Sequence, residues 1–139
     1  MDAELTDMIL DHMDKGFLEN IIDMFKKDEA LYPVLIPMLR DERLRVKIGA
    51  TALVEELVKN SQASFVRLIP ELGGLLLDID PTVRGDAANV LGIIGHSDAL
   101  PFLKKMTSDP DRQVKDIVRE AIQEINYLKG ALNKQRERP

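Results

Sequence analysis

The stretch DPTVRGDAANVLGII, residues 80–94, with its continuation GHSDALPFLKKM, residues 95–106, decides the fold. Asp80 can accept a hydrogen bond from the open N–H groups of a first helical turn, and Pro81 sits where a helix loses no useful donor. Val83, Ala87, Ala88, Val90, Leu91 and Ile94 then recur at helical spacing. They make an apolar face wide enough to be covered on more than one side. Gly95 suits a left-handed cap. Ser97 or Asp98 can start a second helix with Pro101 in its first turn, and Leu100, Phe102, Leu103 and Met106 form its stripe. Ser108-Asp109-Pro110 closes the pair. Two helices this short cannot bury their faces alone and need neighbours of the same kind.

Such neighbours lie on both sides. Asp80, Val83, Arg84, Ala87 and Leu91 align with Asp111, Val114, Lys115, Val118 and Ile122 downstream, and with Asp41, Leu44, Arg45, Ile48 and Ala52 upstream. The offsets are 39 residues (44 to 83) and 31 residues (83 to 114), within the window of roughly 20–50 that marks stacked repeats. On the residues Asp80-Pro81, Val83-Arg84, Ala87-Ala88, Leu91-Gly92, Ile94-Gly95 and Asp98 to Pro101, the chain resembles the HEAT family. It is most similar to the short, phycobilisome-lyase-like (PBS lyase) HEAT repeat. The resemblance implies an all-α, right-handed α-α superhelix, here of about seven helices. Residues 41–77, 80–106 and 109–126 would be its units, residues 1–40 a divergent helical cap, and 1–126 one domain. Residues 127–139 would be a helical extension and basic tail.

The composition fits stacked helices. Of 139 residues, 45% are hydrophobic but only 4% aromatic, so aliphatic side chains and Met must fill the core. The net charge of −5 and a pI near 5.1 argue against nucleic acid and anionic membranes as partners. The charge is uneven. Residues 1–30 hold nine acids and three lysines, whereas 127–139 hold Lys129, Lys134, Arg136 and Arg138 against Glu137. The plain reading is two solvated ends; the sharper one is head-to-tail self-association between copies. With no Cys, thiolate metal sites, disulfides and Cys nucleophiles drop out. No signal-peptide pattern or apolar run of about 20 residues is found, so the expected location is cytoplasmic.

In chain order, residues 2–14 and 17–27 read as amphipathic helices. A third begins at Asp28 or Glu29 and is interrupted at Pro37, so that Leu31 to Arg40 is either a kinked helix or two turns. Asp41 to Lys59 reads as the outer helix of the first repeat, with a stop at Asn60-Ser61 and a partner helix over 62–77, weakened by Pro70 and Gly73-Gly74. The last helix runs from about Asp111 to Ile125 and can extend through Leu132, with 133–139 frayed. Five of the six Met fall in the first 38 residues; they are either core filler or an adaptable binding face.

Chemical constellations are sparse. His12 and His96 are too few and too far apart for a metal site, so no metal or cofactor is expected. They also lack the His-Glu dyads of the HEAT-repeat hydroxylases. No Ser lies in a G-x-S-x-G elbow, and no catalytic residues are expected. The series Asp41/Arg45, Asp80/Arg84 and Asp111/Lys115 places acid and base on one helix face. The resemblance implies that it is a structural ladder between repeats. It further implies binding through the second helix of each pair, where Gln62, Arg67, Glu71, Lys104 and Lys105 would be exposed. The function expected is therefore a non-enzymatic scaffold or adaptor whose partner is another protein. The alternative, also from the resemblance, is an accessory factor for cofactor or chromophore attachment or enzyme maturation, like the bilin lyases. DNA-base repair would need a basic groove and aromatic residues that this composition does not favour.

Overall fold

A computed structural model describes residues 2–137, whose regular structure is entirely helical, without strands. They form two compact units that divide between Leu68 and Ile69. The division falls inside the span 62–77, where the sequence reading placed a single helix. Eight α-helices and two short 3-10 helices are present among the described residues.

In the first unit, Asp2 caps helix α1 (Ala3–Asp14) by accepting the Glu4 N–H at 3.0 Å. Ile9, Leu10 and Met13 are its buried face. Helix α2 (Leu18–Lys27) buries Ile21 and Phe25. Asp28 then caps a 3-10 helix, Glu29–Val34, through the Ala30 N–H at 3.0 Å. Helix α3 (Leu35–Arg40) follows directly. The expected interruption comes before Pro37: the 3-10 helix ends at Val34, and Pro37 lies in the first turn of α3, where no N–H is needed. Tyr32 stacks on Phe25 at 5.4 Å and on Phe65 at 4.8 Å, so three of the few aromatic rings meet in one core. Phe65 belongs to helix α4 (Leu44–Val66), which kinks at Ser61 (φ −135°, ψ 30°). The stop expected at Asn60-Ser61 is thus a bend within one element, and residues 62–66 continue it. Of the clustered methionines, Met13 and Met38 are buried, Met24 is half-buried and Met8 is exposed; Met1 lies outside the described residues.

The second unit begins with helix α5 (Ile69–Leu75), whose first turn carries Pro70. Gly73 earns its place through packing: a Cβ there would lie 2.3 Å from the ring of Phe102. Helix α6 (Pro81–Ile94) opens as the sequence predicts. Asp80 accepts the Thr82 N–H at 2.9 Å, and Gly95 closes the helix in the left-handed region (φ 73°). A 3-10 turn, Ser97–Ala99, leads into helix α7 (Leu100–Lys104). Helix α8 (Arg112–Glu137) is the longest element. Residues 133–137, expected to fray, are helical but exposed, while 138–139 lie outside the described residues. Gly92 lets α6 and α8 approach so closely that a Cβ would meet the Cβ and Cα of Ala121 at 3.0 and 3.1 Å.

The structure shifts the register of the upstream repeat. Leu44 and Ile48, aligned above with Val83 and Ala87, are 69% and 60% exposed. The buried residues that match Val83, Ala87, Val90, Leu91 and Ile94 are Val46, Ala50, Leu53, Val54 and Leu57. The offset is therefore 37 residues (46 to 83), with Arg43 rather than Asp41 at the N-cap position that Asp80 holds in α6. The Asp-to-base pattern misled because Asp41-Glu42-Arg43-Leu44-Arg45 offers two basic residues at alternate positions, and burial selects neither.

Candidate functional site: the polar seams and exposed charges

The repeat's charged residues take up positions the spacing of four did not predict. Asp41 pairs with Arg43, not Arg45. Arg43 Nε and Nη2 meet the two Asp41 carboxylate oxygens at 3.0 Å each, and the Arg43 N–H donates to Asp41 Oδ1 at 2.8 Å. This fork holds the Asp41 carboxyl below its ordinary pKa, chiefly through the side-chain hydrogen bond. Arg43 Nη1 also reaches Asp11 of α1 at 2.8 Å, so the same guanidinium ties α1 to the start of α4. Arg45 is exposed and makes one long contact, 3.4 Å to the Asp14 carbonyl.

In the second unit Arg84 pairs with Asp109, which the sequence reading did not nominate. Nε and Nη2 donate to Asp109 Oδ2 and Oδ1 at 2.9 and 3.1 Å. Nη1 donates to the carbonyls of Asp78 and Ile79 at 2.9 and 3.1 Å. The side chains are only 13% and 2% exposed. Arg84 thus fastens its own helix to the preceding loop and to the turn that starts α8. The Asp109 carboxyl is held low, first by the Arg84 hydrogen bond. Asp80 and Asp111 act as caps, Asp111 accepting the Val114 N–H at 3.0 Å. Lys115 is half-buried. A sequence signal for Asp109 did exist: Asp78-x-Asp80 and Asp109-x-Asp111 repeat 31 residues apart, and the first Asp of each accepts the N–H of the second at 2.9 Å.

In the new register Lys47 occupies the Arg84 position. It is 8% exposed, and its Nζ donates to the Leu39 carbonyl at 2.7 Å. Spacing alone hid it behind Arg45.

The five nominated surface residues are all exposed but divide between the units. Gln62 and Arg67 belong to the first. Arg67 is ion-paired with Glu29, which also accepts from Ser64 at 2.8 Å, beside an open cleft of about 350 Å³ that Tyr32 and Pro33 help to line. Glu71, Lys104 and Lys105 belong to the second. Glu71 lies in the first turn of α5, and Lys104 and Lys105 at the C-terminal end of α7, where helix dipoles favour these signs. His96 accepts the Asp98 N–H at 3.1 Å and caps the turn before α7. His12 stacks on Phe17 at 5.5 Å.

Comparison with known families agrees with the helical units. A family model described as HEAT repeats matches residues 32–123, more than half of the chain. The match begins before residue 41, where the sequence reading placed the first unit. No curated protein matches the chain.

Proposed function

The chain belongs to the HEAT-repeat family, and from that premise we propose that it is a non-enzymatic scaffold or adaptor that binds another protein. The observation that carries this reading is the buried Arg84–Asp109 fork. It fixes α6 to the turn before α8 and makes the second unit a rigid platform. Around that platform, Glu71, Lys104 and Lys105 face solvent. In the first unit, Gln62 and Arg67 are the corresponding exposed groups. Rigid helices presenting charged side chains suit recognition by shape and charge complementarity. No helix among the described residues is long and apolar enough to cross a membrane.

The test is capture of the tagged protein from its native cells, alongside a variant with Arg67, Lys104 and Lys105 each changed to Glu. Circular dichroism confirms that the variant folds. One stoichiometric protein partner, lost in the variant, is the expected result. A partner retained by the variant moves the site elsewhere, and recovery of only a second copy of this chain replaces the adaptor with head-to-tail self-association. A bound chromophore in place of any protein would sink the adaptor reading and favour the accessory-factor alternative.

A further inference from the structure

The seam between α6 and α8 is an open groove that, of the ladder residues, only Asp111 lines. Two clefts, of about 360 and about 160 Å³, line up along it and share Ile117. Their floor is the line where α6 and α8 pack closely through small residues: Gly85 and Gly92 on α6, and Ala121 on α8. Half-buried Ile93 and Ile117 and the exposed Leu128 form apolar walls. From Asp111 to Leu128 the groove follows α8 for about 25 Å at 1.5 Å per residue. Its edges carry carboxylates. Glu120 and Glu124, one turn apart on α8, are exposed, and the Asp111 carboxylate caps α8 at the other end. No Lys, Arg or His lines either cleft.

We propose that this groove is a second recognition surface, which takes a basic amphipathic helix of a partner protein. The proposal rests on the scaffold reading but uses none of Arg67, Lys104 and Lys105. A long, shallow groove, apolar around Ile93, Ile117 and Leu128 and more polar toward Thr82 and Gln113, matches a helix whose apolar anchors at i, i+4 and i+7 sit at the Leu128 end. A carboxylate edge without cations selects Lys or Arg on the flanks of that helix and repels acidic ones. The same edge disfavours nucleic acid and anionic lipid.

The test titrates the full-length protein, at near-physiological salt, with a fluorescent Leu/Lys peptide of about 18 residues that is amphipathic at helical period. Two peptides serve as controls: a scramble of the same composition, and the same pattern with Glu in place of Lys. Two double variants are compared, Glu120→Lys with Glu124→Lys, and Asp7→Lys with Asp23→Lys. Both change the net charge equally. The expected result is that the amphipathic peptide binds at least roughly tenfold tighter than the scramble, with the Glu peptide silent. The groove variant should lose roughly tenfold in affinity and the α1/α2 variant little. Equal binding of the scramble, or equal loss in both variants, would show mere attraction to an acidic protein and overturn the proposal. So would sedimentation showing that the protein self-associates through the groove without peptide. Failure here with a partner still captured through Arg67, Lys104 and Lys105 sinks the groove alone and leaves the scaffold reading standing.

Discussion

The first turns of α4 and α6 fill one repeat position in two ways. At that position α4 has Lys47 and α6 has Arg84, and both reach back to carbonyls of the chain that precedes their own helix. Lys47 stops there, with one bond to Leu39. Arg84 has donors to spare and spends two on Asp109, 25 residues ahead. The difference follows from the side chains: an ammonium is a compact point charge, whereas a guanidinium is a planar fork that serves two sets of acceptors at once. In the first unit the corresponding fork belongs to Arg43, whose carboxylate partner Asp41 is a near neighbour in sequence. The carboxylate fork is therefore local at Arg43, whose remaining nitrogen reaches Asp11 of α1, and crosses a repeat boundary at Arg84. The packing differs in the same sense. Gly49 is covered by the flexible Met13 thioether, and Gly92 by the backbone of α8 at Ala121.

The largest effect should come from breaking the cross-repeat fork. Asp109→Ala leaves a guanidinium that is 13% exposed without its carboxylate. Removing one member of a buried pair costs about 3 kcal/mol or more. Denaturant unfolding should show this as a lower midpoint, and Arg84→Ala should cost a similar amount. A double-mutant cycle should then show the two changes to be far from additive. If the single variants add, the fork is not what joins α6 to the start of α8.

The same pair sets a pH limit. Asp109 titrates below its ordinary 3.8 in the folded protein. A carboxyl lowered by folding contributes stability that is complete above its unfolded pKa and disappears as pH falls through the folded value. Stability should therefore hold from neutrality to about pH 4 in respect of this group, then fall. Asp109→Asn should flatten that acid limb while lowering the neutral plateau. An acid limb unchanged in Asp109→Asn would assign it to other carboxylates, Asp41 first.

The contrast in packing predicts a smaller pair of effects. Gly92→Ala must push Ala121 and the α8 backbone away, and overpacking of this kind costs about 1–3 kcal/mol. Gly49→Ala also meets a close contact, with Met13 Sδ at 2.3 Å from the new Cβ. There the obstacle is a thioether with several rotatable bonds. Alanine also recovers about 0.5–1 kcal/mol of helix propensity over glycine. The net cost should be below about 1 kcal/mol, read from the same unfolding curves. Equal costs at the two glycines would erase the distinction between an adaptable and a rigid unit.

The pattern of apolar residues in 80–106 was enough to read the central helices, the Asp80 cap and the Gly95 stop, because each depends on local chemistry. The upstream register was not legible in the same way. A 39-residue offset satisfies the acid-apolar-base pattern with Asp41, Leu44 and Arg45, and only burial shows that Val46 and Lys47 hold those places. The exposed charges Glu71, Lys104 and Lys105 could be placed by helix face. The Asp-x-Asp repeat marks Asp109 as a turn residue, but its bond to Arg84 across 25 residues leaves no local pattern. The α6/α8 groove was hidden for a related reason: small residues at Gly85, Gly92 and Ala121 look like helix-packing residues until the space beside them is seen.

The smallest predicted change bears most directly on the comparison. Lys47→Met keeps the length of the side chain and removes its charge. The Leu39 carbonyl loses a donor, and an unmet buried acceptor costs about 1–3 kcal/mol. Against this, an 8% exposed ammonium no longer has to be desolvated, and replacing buried ions with apolar groups is often neutral or favourable. The two effects should nearly cancel, leaving stability within about 1 kcal/mol of the parent. Arg84→Met has no such compensation, because it strands Asp109 as well as two carbonyls. A small change at Lys47 beside a large one at Arg84 would establish that the position is structural in both units but couples repeats only where it is an arginine. If Lys47→Met proved as damaging as Arg84→Met, the ammonium must hold more than the Leu39 carbonyl, with the neighbouring Asp41 charge the first candidate.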